Sequence, residues 1–257
     1  MTCLQFDSQK IVSGSDDATI HIYDTQSGAL TKRLTGHLGG VWALQYWNHI
    51  LVSGSTDRFI RVWNMTDGSC RHIFAGHTST VRCLLIIPPT RQADGSFLPT
   101  VPLIVTGSRD SSLRIWKLPD PEKDASFMDT ENAGGNPYLL HVLEGHSNSV
   151  RAIAGSDDTL VSGSYDASVR IWDLSTGKCR FHLTGHQEKV YSVGYCAEIE
   201  RAVSGSMDAT VRIWCTRTGV ALFNLTGKLF ESFNEKRTLF PRGTFGNLTK
   251  VFGFGCS

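Results

Sequence analysis

The sequence predicts an all-β chain built as an arc of a β-propeller, and three observations predict it. A turn signature recurs five times, as VSGSDD at 12–17, VSGSTD at 52–57, VTGSRD at 105–110, VSGSYD at 161–166 and VSGSMD at 203–208. Two residues after each aspartate comes a period-two stretch: TIHIYD (19–24), FIRVWN (59–64), SLRIWK (112–117), SVRIWD (168–173) and TVRIWC (210–215). A Gly-His pair closes each unit, at His37, His77, His146 and His186, with Gly227-Lys228 where the fifth is due. Units of about 40 residues that each hold four short strands are propeller blades.

The strands are assigned on alternation and on β-branched or aromatic content, which suit a pleated, half-buried surface. Ser-Gly-Ser-x-Asp supplies turn residues between two of them. The histidine spacings are 40, 69, 40 and 42. The long interval holds two inserts, at about 88–102 and 119–137, both polar and rich in Pro and Gly. They are expected to be surface loops grown from one repeat and not new elements. The pattern covers 1–226, and 227–257 forms an atypical tail with six of the thirteen Phe and no Trp, Tyr, His or Asp. Because a splice donor can read as Gly-Lys, the tail is expected to be translated intron.

Composition removes several function classes. Hydrophobic residues make up 40% and charged residues 19%, enough for a core. A net charge of +1 argues against a general nucleic-acid binder. No apolar run reaches membrane length, and the first residues do not read as a secretory signal. Seven scattered cysteines without a C-x-x-C pair fit a reducing compartment, with no metal site and no cofactor.

These marks resemble the WD-repeat family. That resemblance implies a buried tetrad in each repeat, joining the Gly-His histidine, a strand hydroxyl, the turn aspartate and the Trp. The matching residues are His37, His77, His146 and His186, Asp57, Asp110, Asp166 and Asp208, and Trp63, Trp116, Trp172 and Trp214. The Trp residues read as core, with Tyr23 standing in for the first. A Ser/His/Asp set invites a hydrolase reading, but its repetition argues for a frame. Arg61, Arg114, Arg170 and Arg212 share one register and read as a solvated strand face.

Positions that keep register but change identity are candidates for a ligand site. Five residues after the histidine stand Trp42, Arg82, Arg151 and Tyr191; three after it stand Gly40, Thr80, Ser149 and Lys189. The variable turn residue is Asp16, Thr56, Arg109, Tyr165 or Met207, and the residue after the aspartate is Ala18, Arg58, Ser111, Ala167 or Ala209. Arg58, Arg82, Arg109 and Arg151 in these slots suggest an anionic ligand. Guanidinium matches phosphate bidentately, at about 1.5–3 kcal/mol per charge-assisted bond. Trp42 offers a platform for a proline ring.

GHLGGVWAL, VSGSTDRFIRVW, GHTSTVRC, VTGSRDSSLRIWKLP and VSGSYDASVRIWD resemble fungal F-box/WD-repeat receptors of the cell division control protein 4 type. The resemblance implies a non-catalytic receptor of an SCF-type ubiquitin ligase that binds a phospho-Ser/Thr-Pro degron. Arg58, Arg82, Arg109 and Arg151 would hold the phosphate, with Thr56, Thr80, Tyr165 and Trp42 in support and Lys189 and Tyr191 on the same rim. The partners expected are phosphorylated proteins, not nucleic acid or membrane, in the nucleus or cytosol. The family's ring has eight blades and an F-box that docks the ligase adaptor. Five blades and no F-box are expected here, with the first strand including Met1. The alternative is a WD scaffold without phosphate dependence.

Overall fold

In the computed structural model, residues 1–129 and 135–226 are described, and the tail expectation lies outside them. Among these residues the fold is all-β. The strands group into two compact units, one of Met1–Gly145 and one beginning at His146.

The first unit holds three repeats. In the first, β1 (Cys3–Phe6), β2 (Lys10–Gly14), β3 (Ile20–Asp24) and β4 (Leu30–Leu34) form an antiparallel meander that starts at Cys3, not Met1. The second comprises β5 (Val41–Trp47), β6 (Ile50–Ser55), β7 (Ile60–Asn64) and β8 (Cys70–Phe74). The third begins with β9 (Val81–Ile87), after which the first insert forms β10 (Thr90–Arg91) and β11 (Phe97–Leu98). Its sheet continues with β12 (Leu103–Ser108) and β13 (Leu113–Lys117). The second insert then contributes β14 (Phe127–Met128), and β15 (Leu139–Leu143) completes the sheet.

The second unit holds two meanders. One is β16 (Val150–Ser156), β17 (Thr159–Ser164), β18 (Val169–Asp173) and β19 (Cys179–Leu183). The other is β20 (Val190–Cys196), β21 (Arg201–Ser206), β22 (Thr210–Cys215) and β23 (Ala221–Thr226).

Both inserts depart from the loop expectation. The first closes a two-stranded hairpin of its own, with Thr90 opposite Leu98. Its turn is Asp94-Gly95: Gly95 takes a φ of +86°, and the Asp94 carboxylate accepts the Ser96 N–H at 2.9 Å. The second places β14 alongside β8 as a fifth strand of the second sheet, in parallel register with Phe127 opposite His72. Loop-like composition hides such a strand because an open sheet edge supplies the pairing.

Packing within each unit is sheet against sheet. Val12, Ile20, Ile22 and Leu34 of the first sheet meet Val41, Tyr46, Leu51 and Trp63 of the second. Val52, Val62 and Phe74 meet Val81, Ile86, Ile104 and Trp116 of the third. In the second unit, Val161, Val169 and Ile171 meet Val190, Val193 and Trp214. Strands such as β6 are buried on both faces, so they read as continuous apolar or small residues instead of alternating. Gly54 in this strand is a packing requirement. A Cβ there would lie 2.4 Å from Val81 Cγ1, so even Gly54→Ala forces the two sheets apart. Overpacking of this kind is expected to cost about 1–3 kcal/mol, read as a lower denaturation midpoint.

Side-chain amides add polar links between sheets. Gln5 Oε1 accepts the Tyr46 N–H at 2.6 Å, and Gln45 Oε1 accepts that of Ile86 at 2.5 Å. Tyr23 is half-buried beside an open pocket with Lys10 and His49, so it does not replace the core tryptophan. Leu4 and Phe6 of β1 are exposed, as are Leu222 and Phe223 of β23.

Candidate functional site

Four hydrogen-bonded chains hold the ends of the repeats. In the second repeat, Trp63 Nε1–H donates to Ser53 Oγ at 2.9 Å. The Ser53 hydroxyl donates to His37 Nε2 at 2.8 Å, and His37 Nδ1–H donates to Asp57 Oδ2 at 2.8 Å. The direction follows from the ends, because indole only donates and an ionised carboxylate only accepts. The sets Trp116–Thr106–His77–Asp110, Trp172–Ser162–His146–Asp166 and Trp214–Ser204–His186–Asp208 repeat it, at 2.8 to 3.1 Å. The aspartates also accept main-chain N–H groups, Leu38 and Phe59 on Asp57 for example. Ser53, Thr106 and Ser162 are wholly buried and Ser204 nearly so, so no substrate reaches these hydroxyls.

Burial pushes the imidazoles of His37, His77 and His186 below their ordinary value, with their aspartates only partly offsetting it. Burial works to raise the four aspartates, but donors from histidine, hydroxyl and main chain outweigh it and hold them below the usual carboxylate range. Both shifts act in one direction. Below pH 6.5 the unfolded chain takes up protons that these buried imidazoles refuse, and stability falls. Below 3.8 the carboxylates add a second loss. The denaturation midpoint is therefore expected to be flat above pH ~7 and to fall steadily below it. A midpoint that rises between pH ~7 and ~5 contradicts this assignment.

The arginines of the common register are not a solvated face. Arg61, Arg114, Arg170 and Arg212 are half-buried. The Arg170 and Arg212 guanidinium groups lie 5.8 and 6.0 Å from the Trp172 and Trp214 ring centroids. Arg114 Nη2 donates to Gly76 O at 2.8 Å, and a Cβ on Gly76 would meet Arg114 Nη1 at 2.8 Å. A guanidinium group is attracted to an indole face, so Arg170 and Arg212 lie against the core tryptophans of their own strands.

The variable slots have a backbone origin that composition does not reveal. In β5, Val41 opposes Ser55 and Ala43 opposes Gly54, leaving Trp42 as the extra residue of a β-bulge. Arg82, Arg151 and Tyr191 occupy the same bulge in β9, β16 and β20. A bulged residue leaves the ladder and its side chain is re-aimed, so the ladder does not dictate its identity. The turn residue is tied to the slot three after the histidine. The N–H groups of Thr56, Arg109, Tyr165 and Met207 donate to the carbonyls of Gly40, Thr80, Ser149 and Lys189, each at 2.9 Å. The residue after the turn aspartate is left-handed in every repeat, with Arg58 at +74°.

In the first unit the Arg82 guanidinium lies 5.6 Å from the Trp42 ring centroid. Arg109 is bonded through its N–H to Thr80, two residues before Arg82, and Thr56 adjoins Gly40, two before Trp42. Arg58, Thr56 and Arg109 are exposed; Arg82 and Thr80 are half-buried. The second unit holds Arg151, Tyr165, Lys189 and Tyr191. There Tyr165 and Tyr191 have centroids 5.2 Å apart, and Lys189 Nζ lies 5.2 Å from the Tyr165 centroid. Among the described residues no carboxylate pairs with Arg82, Arg109 or Arg151. Asp57 and Asp110, acidic neighbours of Arg58 and Arg109, face histidine.

The chain matches the WD domain, G-beta repeat family over residues 1–24, 28–64, 68–117, 137–173 and 177–215, and it belongs to that family. It is a WD-repeat protein-interaction module. It is 56% identical over 199 residues to cell division control protein 4 of Candida albicans, covering 75% of this chain and 29% of that protein. It is 44% identical to WD repeat-containing protein pop2 of Schizosaccharomyces pombe over 202 residues, 76% of this chain and 29% of that one. With cell division control protein 4 of Saccharomyces cerevisiae the identity is 44% over 203 residues, 78% and 26% of the two chains. The chain thus spans less than a third of these relatives' length. Among solved structures, the computationally designed Ika8 protein is similar, with a TM-score of 0.67 and 28% identity over 86% of this chain and 60% of that one.

Proposed function

We propose that the chain is the phosphodegron-reading part of an F-box/WD-type substrate receptor, and that its bulge and turn slots bind a phosphorylated Ser/Thr-Pro segment. One observation carries the reading: Arg82 and Trp42, bulge residues of adjacent sheets, stack together beside the turn that bears Arg109. A phosphothreonine carries about −1.5 to −2 charges at neutral pH and can engage several guanidinium groups. The indole edge left exposed suits the proline that follows. Arg58 and Thr56 extend this set within the first unit, and Arg151, Tyr165, Lys189 and Tyr191 form a corresponding set within the second. The similarity to cell division control protein 4 supports the same assignment. The role is recognition without catalysis, in the nucleus or cytosol, with the ligase adaptor engaged through an F-box outside this sequence.

The test is fluorescence anisotropy with one labelled Thr-Pro peptide in phosphorylated and unmodified forms. Only the phosphorylated form is expected to bind, with an affinity that falls as salt rises, and Arg109→Ala is expected to abolish binding. Equal binding of the two forms overturns the reading in favour of a phosphate-independent scaffold.

A further inference from the structure

The second insert is seated on the second repeat as a ligand would be. Strand β14 runs parallel to β8, with Phe127 opposite His72 and Met128 opposite Ile73. The Asp129 N–H donates to Ile73 O at 2.9 Å. The Asp129 carboxylate accepts the Ala75 N–H at 3.2 Å and Asn136 Nδ2–H at 3.0 Å. The Phe127 ring packs beside Phe74 and Tyr138, which stack on one another at 5.3 Å, with its centroid 6.4 and 5.8 Å from theirs, while Met128 points to solvent at 47% exposure. Upstream, Glu122 accepts the Thr66 hydroxyl at 3.2 Å. An extended peptide adds to an open sheet edge in this way: main-chain bonds hold it and a pocket for alternate side chains selects it.

The short pairing marks the occupant as replaceable. Its pairing covers two residues, whereas β8 runs for five. Beside it lies His72, wholly buried, with no hydrogen-bond partner among the described residues and its ring edge-on to Tyr138 at 5.4 Å.

We infer that the outer edge of the second repeat is a peptide-docking edge, closed in cis by residues 127–129. It accepts in trans an extended segment with an aromatic residue opposite His72 and an acidic residue two positions later. The aromatic residue packs against the stacked Phe74–Tyr138 pair, and the acid takes the Ala75 N–H. This site uses none of the bulge and turn residues, and its occupant need not be phosphorylated.

Calorimetric titration of a peptide with the sequence of residues 120–129 tests this on two full-length chains, unaltered and Phe127→Ala/Asp129→Ala. The peptide is expected to bind the double variant at least about tenfold more tightly, because the cis competitor is weakened. The same peptide with its Phe replaced by Ala is expected to bind neither chain. Equal affinity for both chains overturns the inference, as does no binding to a variant with native tryptophan fluorescence. Should the variant not fold, hydrogen exchange on the unaltered chain decides. The Asp129 amide is expected to exchange at least about tenfold faster than that of Val62 in β7, by local opening. Exchange of both at a common global rate overturns the inference.

Discussion

Replacing Trp116 by Ala is expected to lower the stability of the first unit by about 3–5 kcal/mol. The side chain is wholly buried, and its ring stacks on Phe74 at 5.2 Å with the planes 18° apart. The substitution removes that contact and opens a cavity between the second and third sheets. It also removes the Nε1–H donor to Thr106 Oγ1, the far end of the chain that reaches Asp110. Trp116→Phe keeps most of the packing and loses only that donor, so its cost is expected to be smaller, about 1–3 kcal/mol. Urea denaturation followed by circular dichroism separates the two. Equal midpoints for both variants would show that the hydrogen bond, not the volume, carries the effect. A midpoint for Trp116→Ala unchanged from the parent would remove the tryptophan from the core altogether.

Arg82→Ala is expected to weaken binding of a phosphorylated Thr-Pro peptide by about 10- to 150-fold, the loss of one charge-assisted contact of about 1.5–3 kcal/mol. The side chain stands on a bulge and is half-buried over Trp42, so its guanidinium is held before ligand arrives and little rotamer entropy is left to lose. Arg82→Lys is expected to recover only part of the affinity, since an ammonium neither stacks on indole nor binds two phosphate oxygens in one plane. Isothermal titration with the phosphorylated peptide reads the series. Full recovery by lysine would reduce Arg82 to a point charge, and no loss on alanine substitution would place the phosphate elsewhere. Because Arg82 is outside the core, the unfolding free energy should stay within about 0.5 kcal/mol of the parent and separate binding from folding.

What the residues disclosed in advance, and what they did not, follows from range. Strands such as Ile60–Asn64 and the turn before them are local, and local period and turn chemistry predict them well. The His77–Asp110 bond spans 33 positions and could be expected only because the same four residue types recur in register. The bulges at Trp42, Arg82, Arg151 and Tyr191 left no compositional trace. A bulge is a property of two strands in register, and the residue it releases can be of any type. Strand β14 was hidden for a related reason. Its partner β8 lies more than fifty positions earlier, and its polar flanks read as a loop. The half-buried state of Arg170 and Arg212 depends on the indole two residues along the same strand, which a charged side chain's type alone does not disclose.

Each histidine precedes the sheet whose hydroxyl, aspartate and tryptophan it joins: His37 sits ahead of β5, yet all three of its partners belong to the second repeat. The self-sufficient module therefore runs from one Gly-His to the strand before the next. Anyone dissecting the chain into fragments, or permuting it, should cut just upstream of a Gly-His pair. A cut downstream orphans a carboxylate on one piece and an imidazole on the other, whereas a cut at Thr35 leaves every latch whole.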